Sequence, residues 1–383
     1  MSLNLGDDVI TCILSKLPVE SLQRFKIVQK SWCSIINDPN FIKLHIDDSS
    51  SDINRQKILL ISSKLTPSPC LEYNMLAFNI GTTCASSLSV NSQVVSLIPP
   101  NYFMSRDISY PLVSSCNGLL CMVYSFTIFI WNPAVRKYKT VQKLDHYVSM
   151  LYGYESTLYG FVYDSSCDDY KIISIFEINA KDSHYIVGIY FVNNESWKKI
   201  DSVPAGYRLF DENPVSLDGT INMMATRSGQ ENGNSVFNKF VIISLFVADE
   251  KFVVTPVPLQ YHGNRMKLYN FANRLYLSVF VEMDFLVCSL EKDGERWTWT
   301  NVMKIPILPS FFGIGENKEW YLDDIICLKE NKNILWRKTN GDFLEYNVWK
   351  QEVNEFTLNQ ISPATDSSIL FAGSLANLRI PWD

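Results

Sequence analysis

The sequence predicts a small all-α module followed by a large all-β domain, and three observations carry that prediction. Apolar residues within the first 46 positions recur with the helical period of about 3.6 residues. From Lys57 onward the period falls to two, and runs rich in Ile, Val, Phe and Tyr alternate with clusters of Asn, Gly, Asp and Ser. A pattern of strand, polar turn and aromatic residue then recurs about every 50 residues.

Composition and charge place the chain among β-rich intracellular proteins. Hydrophobic residues make up 47% of the 383 residues, aromatic residues 13% and charged residues 19%, which is typical of a β-rich globular protein. The formal net charge of -6 provides no basic field, so neither nucleic acid nor a membrane is an expected partner. We find no signal-peptide pattern and no membrane-spanning stretch, and we expect a cytoplasmic or nuclear location, or both.

The first predicted helix begins at the acidic pair Asp7 and Asp8 and ends before Pro18. Carboxylates stabilise the first turn of a helix, where backbone N–H groups lack partners. Proline ends a helix because it removes a donor and restricts the residue before it. The apolar face of this helix contains Val9, Ile10, Ile13, Leu14 and Leu17.

Two further short helices are predicted. The second opens at Glu20 or Ser21, and the third ends at the stretch "NDPNF", residues 37–41. A unit of about 45 residues buries too little surface to be robust alone. Because this unit has apolar residues on more than one face, a partner surface is expected, and packing against the β domain is the alternative. The apolar residues of these two helices are Leu22, Phe25, Val28, Trp32, Ile35 and Ile36.

Residues 5–41, "LGDDVITCILSKLPVESLQRFKIVQKSWCSIINDPNF", resemble the F-box, the motif that docks onto the Skp-type adaptor of cullin-based SCF ubiquitin ligases. Two positions depart from the family pattern, since Gly6 stands where Pro is usual and Gln29 stands where Cys is common. The matching positions are Leu5, Asp7, Asp8, Ile13, Leu14, Leu17, Pro18, Ser21, Leu22, Arg24, Phe25, Val28, Lys30, Ser31, Trp32, Ile35 and Ile36.

The resemblance implies two roles for the apolar residues of the helices. Contacts with the adaptor are implied for Leu5, Leu14, Leu17, Pro18, Leu22 and Val28. A second set is implied to hold the three helices together, namely Ile13, Phe25, Trp32 and Ile35. A cullin scaffold and a RING protein are then expected partners through the adaptor.

Three segments follow from these patterns. We expect the F-box over residues 1–46 and the β domain over residues 57–383. Residues 47–56, "DDSSSDINRQ", are polar and are predicted to form a linker.

The β domain is predicted to be a six-bladed, kelch-like β-propeller. Its recurring aromatic residues are separated by 59, 55, 47 and 57 residues, close to the roughly 50 residues of a kelch-type blade. The runs "KILLISS" and "SSILFAGSL", near the two ends of the chain, suggest a sixth blade closed by both ends. A β-sandwich with regularly spaced hairpins is the alternative. The five aromatic residues are Tyr138, Trp197, Phe252, Trp299 and Phe356.

The β domain also resembles the F-box-associated domain of plant F-box proteins. This resemblance implies that the domain holds a protein substrate for ubiquitination and proteasomal degradation. S-locus F-box proteins, the pollen factors of self-incompatibility that target stylar ribonucleases, share this layout and remain an alternative. A stand-alone interaction protein or a β-propeller enzyme is another alternative. The resemblance rests on "SSCNGLLC", "IWNPAVRKYKT", "YGFVYDSSCDDYKIISI" and "SWKKI".

No residue pattern predicts catalysis, a metal site or a cofactor. The four histidines form no metal-ligand spacing, and the nucleophile-elbow, Walker and dinucleotide-binding motifs do not occur. The acidic stretch "YDSSCDDYK", residues 163–171, lacks the EF-hand pattern and is predicted to be a solvated hairpin loop. Nine cysteines without a CxxC pair imply no disulfide framework. We therefore expect a non-catalytic subunit of a ubiquitin ligase.

Overall fold

The computed structural model describes most of the chain in fifteen ranges. Four helices precede 24 strands within them. The ranges are 6–52, 55–65, 71–79, 112–124, 127–142, 157–179, 184–210, 214–231, 234–282, 284–293, 296–306, 322–328, 333–338, 343–356 and 365–382.

The helical module contains four helices rather than the three that the sequence predicts. The additional helix begins at a side-chain cap, since Asp38 Oδ1 accepts hydrogen bonds from the backbone N–H groups of Asn40 (2.8 Å) and Phe41 (3.3 Å). It runs into the segment predicted as a linker, so only a short connection separates it from the first strand. The helices are α1 Asp7–Ser15, α2 Val19–Phe25, α3 Lys30–Asn37 and α4 Pro39–Ser51.

Five consecutive antiparallel sheets make up most of the β domain, and we call them blades 1 to 5. Blade 1 contains β3 Leu112–Cys116, β4 Leu119–Tyr124, β5 Thr127–Asn132 and β6 Lys137–Gln142. Blade 2 contains β7 Thr157–Asp164, β8 Asp169–Asn179, β9 His184–Phe191 and β10 Ser196–Ile200. Blade 3 contains β11 Tyr207–Leu209, β12 Val215–Leu217, β13 Thr220–Glu231, β14 Asn234–Phe246 and β15 Lys251–Pro256.

The remaining strands form two blades and one smaller sheet. Blade 4 contains β16 Asn264–Phe271, β17 Arg274–Val281, β18 Asp284–Asp293 and β19 Arg296–Pro306. Blade 5 contains β20 Leu322–Leu328, β21 Ile334–Lys338, β22 Phe343–Asn347 and β23 Glu352–Phe356. A three-stranded sheet, which we call the closing sheet, contains β1 Gln56–Leu65, β2 Leu71–Asn79 and β24 Thr365–Ala372.

Contacts between neighbouring sheets show that the domain is a β-propeller. In blades 1 to 4 an early strand of one sheet lies against an early strand of the next, since β3 contacts β7, β7 contacts β12 and β12 contacts β16. The ring continues through the closing sheet, because β24 contacts both β20 and β3. Sheets arranged around a common centre in this way are a propeller, and the β-sandwich alternative is not supported.

The number of blades differs from the prediction. Five sheets have the four or five strands of a full blade, where the sequence predicts six blades. The predicted pairing of the two chain ends does occur, because β1 pairs with β24 from Gln56 opposite Ala372 to Ser62 opposite Thr365. In the described part of the chain, however, this sheet has three strands. It brings the beginning of the β domain against its end.

The recurring aromatic residues lie on the last strand of each blade. Tyr138, Trp197 and Phe252 are the second residues of β6, β10 and β15, as predicted, whereas Trp299 lies further along β19. Two of these rings join neighbouring blades. Trp197 Nε1 donates to the Gln142 carbonyl (3.0 Å), and Trp299 Nε1 donates to the Pro256 carbonyl (3.3 Å). The aromatic repeat therefore links the outer strands of successive blades.

Candidate functional site

The four helices pack around a small apolar cluster of their own. Phe25 and Trp32 meet edge to face across α2 and α3, with ring centroids 5.5 Å apart. These two residues and Ile35 pack against the cluster. The buried members of the cluster are Leu14, Val19, Leu22, Ile36, Phe41 and Leu375.

Two residues assigned to the adaptor lie inside this cluster instead. Leu14 is 1% exposed and Leu22 is 0% exposed, so neither side chain offers a surface to another protein in this arrangement. The helical period identifies both as apolar, and the neighbouring helices cover them. Leu17 is half-buried against the same cluster, and Pro18 is exposed at the start of α2. Leu5 lies outside the described residues.

One residue assigned to the core lies on the surface. Ile13 is 51% exposed, because it lies on the side of α1 that turns away from the other helices. Val9 precedes it by one helical turn on the same face and is also exposed. This face of α1 therefore presents two branched apolar side chains to solvent.

The turn between α2 and α3 adds a second exposed apolar pair. Ile27 is 88% exposed and Val28 is 61% exposed. Val28 was assigned to the adaptor from the sequence, whereas Ile27 was missed because it lies off the helical period of its neighbours. We call Val9, Ile13, Ile27 and Val28 the exposed apolar set. Burying one such side chain completely is worth about 1.5–3 kcal/mol.

A groove lies on the helices between α1, α3 and α4. Its volume is about 360 Å³, and both apolar and polar side chains line it. It is lined by Thr11, Ser34, Ile35, Asp38, Asn40, Phe41 and Leu44.

A polar network holds α4 and the following connection against the end of α1. Arg55 Nη2 donates to the Ser15 carbonyl (3.1 Å) and lies 3.0 Å from His45 Nε2. His45 Nε2 also lies 2.9 Å from the Leu17 carbonyl. Burial lowers the pKa of His45, which keeps the imidazole neutral beside the arginine. The Ser15 carbonyl at the end of α1 and the Leu17 carbonyl that follows it are thus contacted by the side chains of Arg55 and His45.

The segment after β24 joins the helices to the propeller. Leu375 belongs to the helical cluster, whereas Ala376 and Leu378 belong to the apolar cluster between blades 1 and 2. Asn132, at the end of β5, is fully buried and donates from Nδ2 to the carbonyls of Ser374 (3.2 Å) and Ala376 (2.8 Å). We call residues 373–382 the C-terminal segment. It contacts both the helices and the blades.

Replacing Asn132 with alanine is expected to release the C-terminal segment. The change removes both bonds to that segment and the bond that Asn132 Oδ1 accepts from the Ala134 backbone N–H (3.0 Å). Leaving such buried groups unpaired costs about 1–3 kcal/mol. Limited proteolysis should therefore cut the C-terminal segment faster in Asn132→Ala than in wild type. Equal rates of cleavage would show that the segment is held by other contacts.

The first carboxylate of the acidic hairpin at residues 163–171, that of Asp164, is paired with other groups of the hairpin. Lys171 Nζ lies 2.6 Å from Asp164 Oδ2, and the Ser166 backbone and hydroxyl both donate to Asp164 Oδ1 (2.9 and 2.6 Å). Burial acts to raise the pKa of Asp164, but the hydrogen bonds from Lys171 and Ser166 outweigh it and hold the pKa at about 2. The hairpin is confirmed and its turn residues 165–168 are exposed, but Asp164 and Asp169 are buried, so the hairpin is solvated only at its tip.

Within the described ranges, no group of three His, Cys, Asp or Glu residues could hold a metal ion. Burial raises the pKa of Cys116 to about 12 and also raises the pKa of Cys121, so both thiols remain protonated. None of the helices in those ranges is both long and apolar enough to cross a membrane.

Comparison with known proteins matches both the helical module and the β domain to protein families. A model of the F-box domain matches residues 2–44, and a model of the F-box associated beta propeller domain matches residues 55–361. The fold and the helical module therefore define an F-box protein that carries a β-propeller. The chain belongs to the F-box associated beta propeller domain family.

Individual proteins are similar to this chain over most of its length. The chain is 26% identical over 356 residues to the F-box/kelch-repeat protein At3g23880 of Arabidopsis thaliana, a match that covers 89% of each chain. Among solved structures, TolB from Acinetobacter baumannii aligns with a TM-score of 0.44 at 8% identity, over 90% of this chain and 73% of that one.

Proposed function

We propose that this protein is the substrate-recognition subunit of an SCF-type ubiquitin ligase, in which the helices dock onto a Skp-type adaptor and the propeller holds a protein substrate. One observation supports this proposal above the others. The helices leave the exposed apolar set uncovered while their own core is complete and is fixed to the propeller through Leu375. Exposed aliphatic groups on a small module that is already packed mark a surface for a partner.

The proposed mechanism is proximity. The adaptor, with a cullin scaffold and a RING protein behind it, brings a ubiquitin-charged conjugating enzyme close to a lysine of the substrate. This arrangement raises the effective concentration of the two reacting groups. Other subunits then carry out the chemistry, and this chain holds the substrate close to them. An S-locus receptor would differ in its substrate, a stylar ribonuclease, and would use the same mechanism.

A pair of charge substitutions tests the proposed adaptor surface. In Ile13→Asp, Val28→Asp, two half-exposed apolar side chains become carboxylates that the interface would have to desolvate. We expect the double variant to bind a purified Skp-type adaptor at least about 100-fold more weakly, since each lost apolar contact is worth about 1.5–3 kcal/mol and about 1.4 kcal/mol is tenfold in affinity. Calorimetric titration of the adaptor into the full chain measures this change.

A matched control comes from the propeller. Val253 on β15 is 40% exposed, so Val253→Asp makes the same chemical change on a blade, and adaptor affinity should stay at the wild-type value. Equal loss in both variants would point to a general effect of charge. A wild-type chain that binds no Skp-type adaptor would contradict the proposal and favour the stand-alone interaction protein.

A further inference from the structure

One edge of blade 3 carries a row of aromatic and basic side chains. Tyr207 on β11 pairs directly with Arg227 on β13, and Arg227 pairs directly with Lys239 on β14. Directly paired residues of antiparallel strands project from the same side of the sheet. Arg208, the next residue of β11, is also exposed but points to the opposite face, because successive residues of a strand alternate between the two faces. We call Tyr207, Arg227 and Lys239 the rim patch.

The rim patch lies on the side of the propeller that faces away from the helices. The C-terminal segment binds the first hairpin turns of blades 1 and 2, through Ser374 to the Asn117 carbonyl and through Arg379 to Asp168. The corresponding turn of blade 3 directly precedes Thr220, the first residue of β13. Arg227 is seven positions further along this strand, which is about 23 Å at about 3.3 Å per residue. An adaptor on the helices would therefore leave the rim patch open.

The charges of the rim patch are not neutralised within the described residues. Arg227 and Lys239 are both exposed, and like charges placed directly opposite each other on a sheet repel. The Arg227 guanidinium lies over the Tyr207 ring, whose centroid is 5.4 Å away. Glu177, a carboxylate on the neighbouring blade, instead accepts a hydrogen bond from the Tyr185 hydroxyl (3.3 Å). The row is thus a local positive site on a chain whose net charge is -6.

The backbone beside Arg227 is also irregular. The pairing of β13 with β14 shifts register between Arg227 and Gly229. Such bulges re-aim the neighbouring side chain and are common beside binding sites. The bulge and the contact with the Tyr207 ring thus occur at the same point of the blade.

We propose that the rim patch binds a carboxylate-rich segment of the protein substrate. This inference rests on the proposed receptor function and specifies the chemistry that the propeller recognises. Arginine pairs with carboxylates through two parallel hydrogen bonds, and lysine adds a compact charge beside it. An acidic segment would also relieve the repulsion between Arg227 and Lys239.

Fluorescence anisotropy with a labelled peptide of alternating Glu and Ser tests the proposal on the full chain. We expect the peptide to bind wild type, with affinity that falls as salt is added. The double variant Arg227→Gln, Lys239→Gln should bind at least about tenfold more weakly, because two charge-assisted contacts are lost. The control is Lys251→Gln, which removes an exposed lysine at the other end of the same blade and should leave binding unchanged.

Three results would overturn the proposal. They are equal binding of a Gln and Ser peptide, wild-type affinity in the double variant, and binding of a phosphoserine peptide with none of the Glu peptide. Peptide binding requires no adaptor, so failure here alongside intact adaptor binding would refute the rim patch alone. Loss of adaptor binding with intact peptide binding would refute the receptor function alone.

Discussion

Lys171→Met is expected to lower the free energy of unfolding of the propeller by about 3–5 kcal/mol, the usual cost of removing one partner of a buried ion pair. Lys171 and Asp164 have side chains that are each 4% exposed, and their charged atoms lie 2.6 Å apart. The same ammonium donates to the Val247 carbonyl (3.2 Å) and lies 4.8 Å from the centre of the Phe191 ring. Methionine fills a similar volume, but it leaves the Asp164 carboxylate buried without its cation.

Urea unfolding measures this change, and an exposed ion pair provides the control. Lys198 and Glu250 lie 2.7 Å apart, but the Lys198 side chain is 55% exposed. Exposed pairs contribute about 0–1 kcal/mol because water screens them, so Lys198→Met should alter stability by no more than that. If the two variants lost the same stability, burial would not be the reason that the Lys171 pair matters.

Leu22→Ala is expected to destabilise the helical module by about 2–5 kcal/mol, the cost of truncating a buried leucine. The Leu22 side chain is 0% exposed and packs with Leu14, Ile36 and Leu375 in the helical cluster. The alanine leaves a cavity between the helices and the C-terminal segment. Adaptor binding should then weaken because the docking module is no longer folded. Helical circular dichroism during thermal unfolding measures the loss.

Leu22 and Val28 were both assigned to the adaptor from the sequence, and Val28→Ala distinguishes contact with the adaptor from packing in the core. Val28 is 61% exposed, and surface substitutions usually change stability by no more than about 0.5 kcal/mol. This variant should keep the thermal stability of the wild type and bind the adaptor more weakly. A Leu22→Ala variant with wild-type stability and lost adaptor binding would contradict the structure and restore Leu22 to the interface.

The sequence predicts the fold class of the helical module and of the β domain better than it predicts the role of each residue. A helical period identifies Leu14 and Ile13 equally as apolar, because it reports the face of a helix and not what covers that face. The structure buries Leu14 and exposes Ile13. Which of two neighbouring faces meets another helix depends on how the helices cross, and that angle is set by packing between residues far apart in sequence.

Contacts between residues far apart in the sequence explain why the position of the C-terminal segment was not predicted. Asn132 binds the carbonyls of Ser374 and Ala376 across more than 240 positions, and no local pattern marks such a bond.

The fourth helix was missed because residues 47–51 are polar, although the Asp38 cap and the proline after it were signals that could have identified its start. The pairing of β1 with β24 was predictable because propellers join their two ends.

Hydrogen exchange of the full chain, measured with and without a purified Skp-type adaptor, locates the surface that the adaptor covers. We expect the adaptor to slow amide exchange in α1, α2 and the turn that contains Ile27 and Val28. Exchange in blades 1 to 5 should stay unchanged, because the propeller remains free for its substrate. Slower exchange in the blades with no change in the helices would place the adaptor on the propeller and refute docking through the helices.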